Sequence, residues 1–203
     1  MQPRLICPEI LSRAGQQIKM TVGVAPAHQH GRHAHAADVS HARGDVAQRE
    51  AHAALVAGRW ERSKWEGVEL AGKTLGIVGL GRIGKLVAHR AIGLGMKIVA
   101  YDPYISAERG RQLNVDMLPL DQLVATSDFL TVHLPKNKET RGLINRDVLL
   151  KAKPELRVIN VARGGIVVEA DLAEALRDGI IAGAALDVFE TEPITESPLF
   201  QLP

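Results

Sequence analysis

The segment Thr74-Leu-Gly-Ile-Val-Gly79 most limits how this chain can fold, because it is a short apolar run that ends on glycine and opens straight into Gly79-Leu-Gly-Arg-Ile-Gly84. A short run without polar interruption suits a strand buried on both faces, since only a sheet covered on two sides hides successive side chains. From Ile83 to Ile92 apolar residues then return at helical spacing. The alternation repeats. Lys97 to Tyr101 predicts a second strand, stopped by the turn signal Asp102-Pro103. Val115 to Leu118 predicts a weaker third strand, with a helix from Leu120 to Ala125 behind it. Asp128 to His133 predicts a fourth strand, closed by Pro135, and Arg157 to Val161 a fifth. Strong helix formers run from Glu169 to Leu176, and Ile181 to Val188 predicts a sixth strand. Such alternation predicts an α/β fold, a Rossmann-like doubly wound parallel sheet.

Between a strand and a helix, each glycine of the loop has a physical task. Gly79 permits the sharp turn, Gly81 lets backbone N–H groups approach a pyrophosphate, and Gly84 lets the helix pack closely on the sheet. The helix start adds free amide donors and positive potential for phosphates. Asp102, at the end of the second predicted strand, can accept hydrogen bonds from both ribose hydroxyls of NAD and repels the extra phosphate of NADP. NAD is therefore the expected cofactor. The plainer alternative is a tight turn with Asp102 as a loop cap and no ligand.

The N-terminal quarter lacks this pattern. Between Ala27 and His52 large aliphatics are almost absent and six of the eight histidines are found, among them the closely spaced His28, His30, His33 and His35. Without a fixed ligand spacing or a nearby cysteine they make a poor preformed metal site, and no metal is expected. Residues 1–52 are read as an irregular or disordered segment. A misread frame or start is a further explanation, because Ala, His, Arg and Gly dominate alternate frames of GC-rich coding DNA. Residues 53–203 are read as the dinucleotide-binding domain. A net charge of +2 and 3% aromatic residues give no footing for a nucleic-acid partner. No stretch is apolar for the roughly 20 residues a membrane span needs, and no secretory signal opens the chain. Cys7, the single cysteine, excludes an internal disulfide and fits a reducing compartment, the cytoplasm by default.

Several ordered blocks carry a more specific resemblance. They are Gly58-Arg-Trp-Glu-Arg62, Gly72 to Gly84, Tyr101-Asp-Pro-Tyr-Ile-Ser106, Val132-His-Leu-Pro135, Asn160-Val-Ala-Arg-Gly-Gly165 and Ala185-Leu-Asp-Val-Phe-Glu-Thr-Glu-Pro193. Together they make the chain similar to the D-isomer-specific 2-hydroxyacid dehydrogenases. Tyr101 to Tyr104 and Glu196-Ser-Pro198 lean toward the phosphoglycerate-oxidising branch, which serves serine biosynthesis, over glycerate or another hydroxy acid.

The resemblance implies hydride exchange between a nicotinamide and a small 2-hydroxy or 2-keto acid. It assigns Arg163 to the substrate carboxylate and keto oxygen, a task suited to a planar guanidinium. Glu192 matches the glutamate that pairs with the family's catalytic histidine, raising its pKa and fixing its ring. Asp187 matches the residue that orients the nicotinamide carboxamide, helped by backbone carbonyls near Val161 and Ala162. Leu134 would line the cofactor ribose, and Arg82 and Ile83 would meet the pyrophosphate through their backbone. Read without the family, Arg163 is a strand-end charge, Glu192 a solvated loop carboxylate and Asp187 a turn opener. His133, between Val132 and Leu134, reads as a satisfied histidine beside the cofactor and not as the acid–base group.

The family's histidine segment falls beyond Pro203, the last strand of the domain is expected to be lacking, and the substrate domain is not recognisable. The chain is therefore expected to bind NAD and to turn over negligibly. Trp60 and Trp65 lie where the family's segment crosses to a partner subunit, so a homodimer is expected. A non-catalytic NAD-responsive binding module is the competing reading; retention of Arg163 and Glu192 favours the dehydrogenase.

Overall fold

The structure is a computed structural model that describes residues 51–61 and 67–202. The closely spaced His28, His30, His33 and His35, together with Cys7 and Trp65, lie outside the described residues. Among the described residues a helical stretch at 51–56 comes first. Six strands follow: β1 (Thr74–Val78), β2 (Lys97–Tyr101), β3 (Asp116–Met117), β4 (Phe129–Val132), β5 (Arg157–Asn160) and β6 (Gly183–Leu186). Between them run α1 (Arg82–Gly93), α2 (Ala107–Arg111), α3 (Leu120–Thr126), α4 (Arg146–Leu149) and α5 (Glu169–Arg177), and a 3₁₀ turn covers Pro198–Gln201.

All pairings are parallel, in the order β3-β2-β1-β4-β5-β6. The chain steps outward from β1 to β3, returns to the middle, and steps outward the other way from β4 to β6. Loops leaving β1 and β4 therefore diverge, which opens a crevice at the C-terminal edge of the sheet.

Both faces of the sheet are covered, as the unbroken apolar strands require. On one face Leu75 and Ile77 pack with Val87, Ala88 and Ala91 of α1. On the other Val78, Leu130, Val132 and Val158 pack with Leu123 of α3 and Leu172 of α5. Each fully buried aliphatic contributes about 1.5–3 kcal/mol relative to exposure. At the opposite edge of the sheet from the crevice, Asp128 accepts the Thr74 N–H at 2.7 Å and the Lys153 ammonium at 3.1 Å. Burial would push the Asp128 carboxyl up, but these two donors together hold it below its ordinary value.

The periodicity predicts most elements to within a residue or two. β6 is shorter than the apolar run from Ile181 to Val188, because the chain first finishes α5. The Ile181 N–H turns back to the Ala175 carbonyl, and the ladder begins only after Ala182 donates to Leu156. Two short helices carry little periodic signal and are fixed by caps instead. Ser106 Oγ accepts the Arg109 N–H, and Asn145 Oδ1 accepts the Val148 N–H.

Candidate cofactor site

The glycine loop is wedged between its neighbours at the crevice. Gly79, at φ +104°, donates its N–H to Tyr101 O at 2.8 Å, and a Cβ there would lie 2.8 Å from the His133 carbonyl carbon. Only glycine fits that turn. A Cβ on Gly84 would lie 2.1 Å from Gly79 O, so α1 starts almost in contact with the loop it leaves. Gly81, by contrast, has nothing within 4 Å of its Cβ position.

Gly81 caps α1 without any side-chain acceptor, and the first turn holds no acidic residue. Among the described residues nothing accepts the N–H groups of Arg82, Ile83 and Gly84, the unpaired donors every helix start leaves. Arg82 and Ile83 are exposed. A row of unpaired amides beside open space at the positive end of a twelve-residue helix suits a diphosphate.

Asp102 closes the other side. Its Oδ2 accepts the Leu80 N–H at 2.8 Å and its Oδ1 the Tyr104 N–H at 2.8 Å. The carboxylate thus ties the glycine loop to the end of β2. Each oxygen retains a lone pair, so the loop-capping role and a ribose-binding role are compatible.

After β4, His133 Nε2 lies 3.0 Å from Thr131 Oγ1, and burial pushes the imidazole down to about 4. A neutral, hydrogen-bonded ring of this kind is a poor proton shuttle at neutral pH. Leu134 is 4% exposed and its side chain belongs to the core, so it can meet a ligand only through its backbone.

Beyond β5 the buried Asn160 organises the next loop. Its Oδ1 accepts the Ala162 N–H at 3.2 Å and its Nδ2 donates to Arg163 O at 3.1 Å. Val161 is exposed, while Ala162 is half-buried. The exposed Arg163 folds its guanidinium back onto Ala162 O at 2.6 Å, which occupies one of the carbonyls assigned to the nicotinamide. After β6, Asp187 donates its N–H to Asn160 O at 3.0 Å. Partial burial, and next the nearby Glu192 carboxylate, raise the Asp187 carboxyl above its ordinary value. Glu192 Oε1 accepts the Phe189 N–H at 2.9 Å. The two loops touch: a Cβ on Gly164 would lie 1.6 Å from Phe189 O.

The model of the D-isomer specific 2-hydroxyacid dehydrogenase, NAD binding domain, matches residues 41–203. The chain belongs to this family. D-3-phosphoglycerate dehydrogenase of Mycobacterium tuberculosis is 53% identical over 152 residues, which cover 75% of this chain and 29% of that protein. The enzyme of the same name from Archaeoglobus fulgidus is 51% identical over 146 residues, covering 71% and 28%. Among solved structures, NAD-dependent formate dehydrogenase from Staphylococcus aureus in complex with NAD superposes with a TM-score of 0.69 at 36% identity, covering 77% of this chain and 48% of that one. The chain spans less than a third of the length of the curated relatives it matches.

As the family's NAD-binding domain, the crevice brings Gly79, Gly81, Arg82, Ile83, Gly84 and Asp102 together on one side of the β1/β4 divergence. Arg163, Asp187 and Glu192 gather on the other, on loops after β5 and β6. Asn160, Gly164 and Glu169 were not singled out from sequence. Asn160 ends an apolar strand just before a loop, and an amide in that position is the one usable signal for it. The partners of Glu169 lie more than twenty residues away, and nothing local announces them.

Proposed function

We propose that this chain is the cofactor-holding portion of a D-3-phosphoglycerate dehydrogenase, which oxidises 3-phosphoglycerate to 3-phosphohydroxypyruvate. The observation that carries the reading is the triplet of unpaired amides at Arg82, Ile83 and Gly84, at a helix start that is open at Gly81 and flanked by the Asp102 carboxylate. Sequence identity of about half to relatives of that name supports the substrate assignment.

Bound NAD would supply a nicotinamide ring able to take a hydride from the substrate carbon. The backbone N–H groups of Arg82 and Ile83 hold the diphosphate, and Asp102 accepts the adenosine ribose hydroxyls. The Asp102 charge disfavours a 2′-phosphate and so favours NAD over NADP. Asp187 accepts from the carboxamide, and the backbone at Val161, Ala162 and Leu134 borders the ring and its ribose. Arg163 must swing off Ala162 O to grip the substrate carboxylate. Glu192 stands ready to hold an imidazolium supplied from outside residues 53–203, the stretch we assign to this domain. We assign the final strand of its sheet and the substrate domain to sequence beyond this stretch as well.

A steady-state assay with 3-phosphoglycerate, NAD and a product trap tests the division of labour. The purified chain is expected to bind NADH yet turn over at least about a hundredfold below the rate of a complete enzyme, the usual cost of a missing acid–base group. Robust turnover would contradict it. We further infer pairing of two copies through the segment bearing Leu55, Val56 and Trp60, all more than half exposed. Analytical ultracentrifugation should then give a mass that rises toward the dimer with concentration. The cytoplasm is the compartment this reading favours; among the described residues no helix is long and apolar enough to cross a membrane.

A further inference from the structure

We infer that Glu169 is a positioning residue that sets the nicotinamide end of the cofactor site, acting through Glu190 on Asp187; this rests on the assignment of Asp187 proposed above. Glu169 is the first residue of α5 and is only 9% exposed. Its Oε1 accepts the Glu190 N–H at 2.6 Å and its Oε2 accepts the Ser197 hydroxyl at 2.8 Å. Glu190 answers in kind: its Oε1 accepts the Glu169 N–H at 2.9 Å. The bonds are reciprocal, side chain to backbone in both directions, across a separation of 21 residues.

A capping box satisfies a helix start within one turn. Here the same chemistry is stretched between the start of α5 and the loop after β6, so a helix terminus is completed only when that loop is in place. The loop is the one that carries Asp187 and Glu192, three residues before and two after Glu190. It is also held from a second side, because the Phe189 carbonyl lies against Gly164 of the Arg163 loop and leaves no room for a side chain there. Glu169 therefore fixes the stretch from Asp187 to Glu192 against the buried end of α5, while the carboxylates of Asp187 and Glu192 remain exposed. A buried carboxylate whose two oxygens both accept charge-assisted hydrogen bonds restrains its partners more tightly than a surface contact does.

The consequence is local to one end of the cofactor. Asp102 and the start of α1 have no bond to Glu169, so its loss should loosen the grip on nicotinamide and leave the adenosine diphosphate alone. Titration calorimetry with NADH and with ADP-ribose, which lacks the nicotinamide, separates the two ends. For the wild-type chain NADH should bind more tightly than ADP-ribose. Glu169→Ala should weaken NADH about tenfold, the scale of a lost charge-assisted hydrogen bond, and leave ADP-ribose within about twofold. Glu169→Gln, which keeps an acceptor for the Glu190 N–H, should recover most of the difference. Glu190→Ala, which removes the other half of the reciprocal pair at an exposed position, should reproduce the NADH-selective loss if Glu169→Ala does not fold.

Variants that weaken both ligands alike, or neither, would overturn the positioning role while leaving the cofactor assignment intact. A wild-type chain that binds ADP-ribose as tightly as NADH would instead remove the nicotinamide role of Asp187 and, with it, this inference. A wild-type chain that binds neither would overturn the proposed function itself.

Discussion

The two sides of the crevice are finished to different degrees. On the β1–β2 side the groups proposed to hold the adenosine diphosphate are already in place: three amides without acceptors, an open approach at Gly81, and a carboxylate fixed by the glycine loop and the end of β2. On the β5–β6 side the charged groups are held in reserve. Arg163 lies on its neighbour's carbonyl and Glu192 on a backbone N–H. On the proposed function, the contrast would place the grip on the adenosine diphosphate in a short contiguous stretch, and the groups assigned to the nicotinamide and the substrate on loops that are still engaged with their own backbone. Binding and turnover should be separable by mutation.

The harshest break on the cofactor side is Gly84→Val. With Gly79 O only 2.1 Å from the Cβ position, the helix must retreat from the loop. We expect a loss of about 3 kcal/mol in stability, the upper range for overpacking, and no measurable NADH binding. Chemical denaturation with a parallel fluorescence titration checks both.

Acid should act on His133, after β4, and on Asp187, after β6, with opposite signs. Burial lowers the His133 pKa from 6.5 to about 4, so between those values the unfolded chain takes up a proton that the folded chain refuses. Stability present above pH 6.5 is thus lost as pH falls toward 4, by at most on the order of 3 kcal/mol. Asp187 is shifted the other way: its raised carboxyl pKa favours the folded state as pH falls, and that contribution disappears as pH rises through the folded value. Thermal melts from pH 7.5 to 4 should show the decline in the wild type, with a flatter profile for His133→Asn.

Asp102→Asn should have a smaller effect. It keeps an acceptor for the Leu80 N–H but removes the charge, so NADH should weaken by about 1.5–2 kcal/mol while NADPH weakens less. Competitive titration of the two nucleotides measures the narrowed preference. Smallest of all, Arg163→Lys should change NADH affinity by less than about twofold, because no cofactor contact is assigned to the guanidinium. A large loss from that substitution would erase the contrast between the two sides.

These differences follow how each region is encoded. The glycine loop was legible because its chemistry is local: strand, turn, helix and acidic strand end succeed one another from Thr74 to Asp102. The strands were legible because burial on both faces leaves an apolar run, though the start of β6 was masked by Ile181, whose backbone still belongs to the end of α5. Arg163, Asp187 and Glu192 were found by resemblance, since each alone reads as a surface charge. Glu169 escaped notice because an acidic residue at a helix start is ordinary, and its bonds to Glu190 and Ser197 exist only once the chain has folded.

The central claim is that the amides at the start of α1 receive the cofactor's diphosphate. The most direct test is a titration of NADH into isotopically labelled chain, following backbone amide resonances by NMR. The account predicts that Arg82, Ile83 and Gly84 shift most strongly and in step, while amides at the opposite edge of the sheet, such as Thr74, stay in place. A folded chain in which those three resonances do not move at saturating NADH would contradict it.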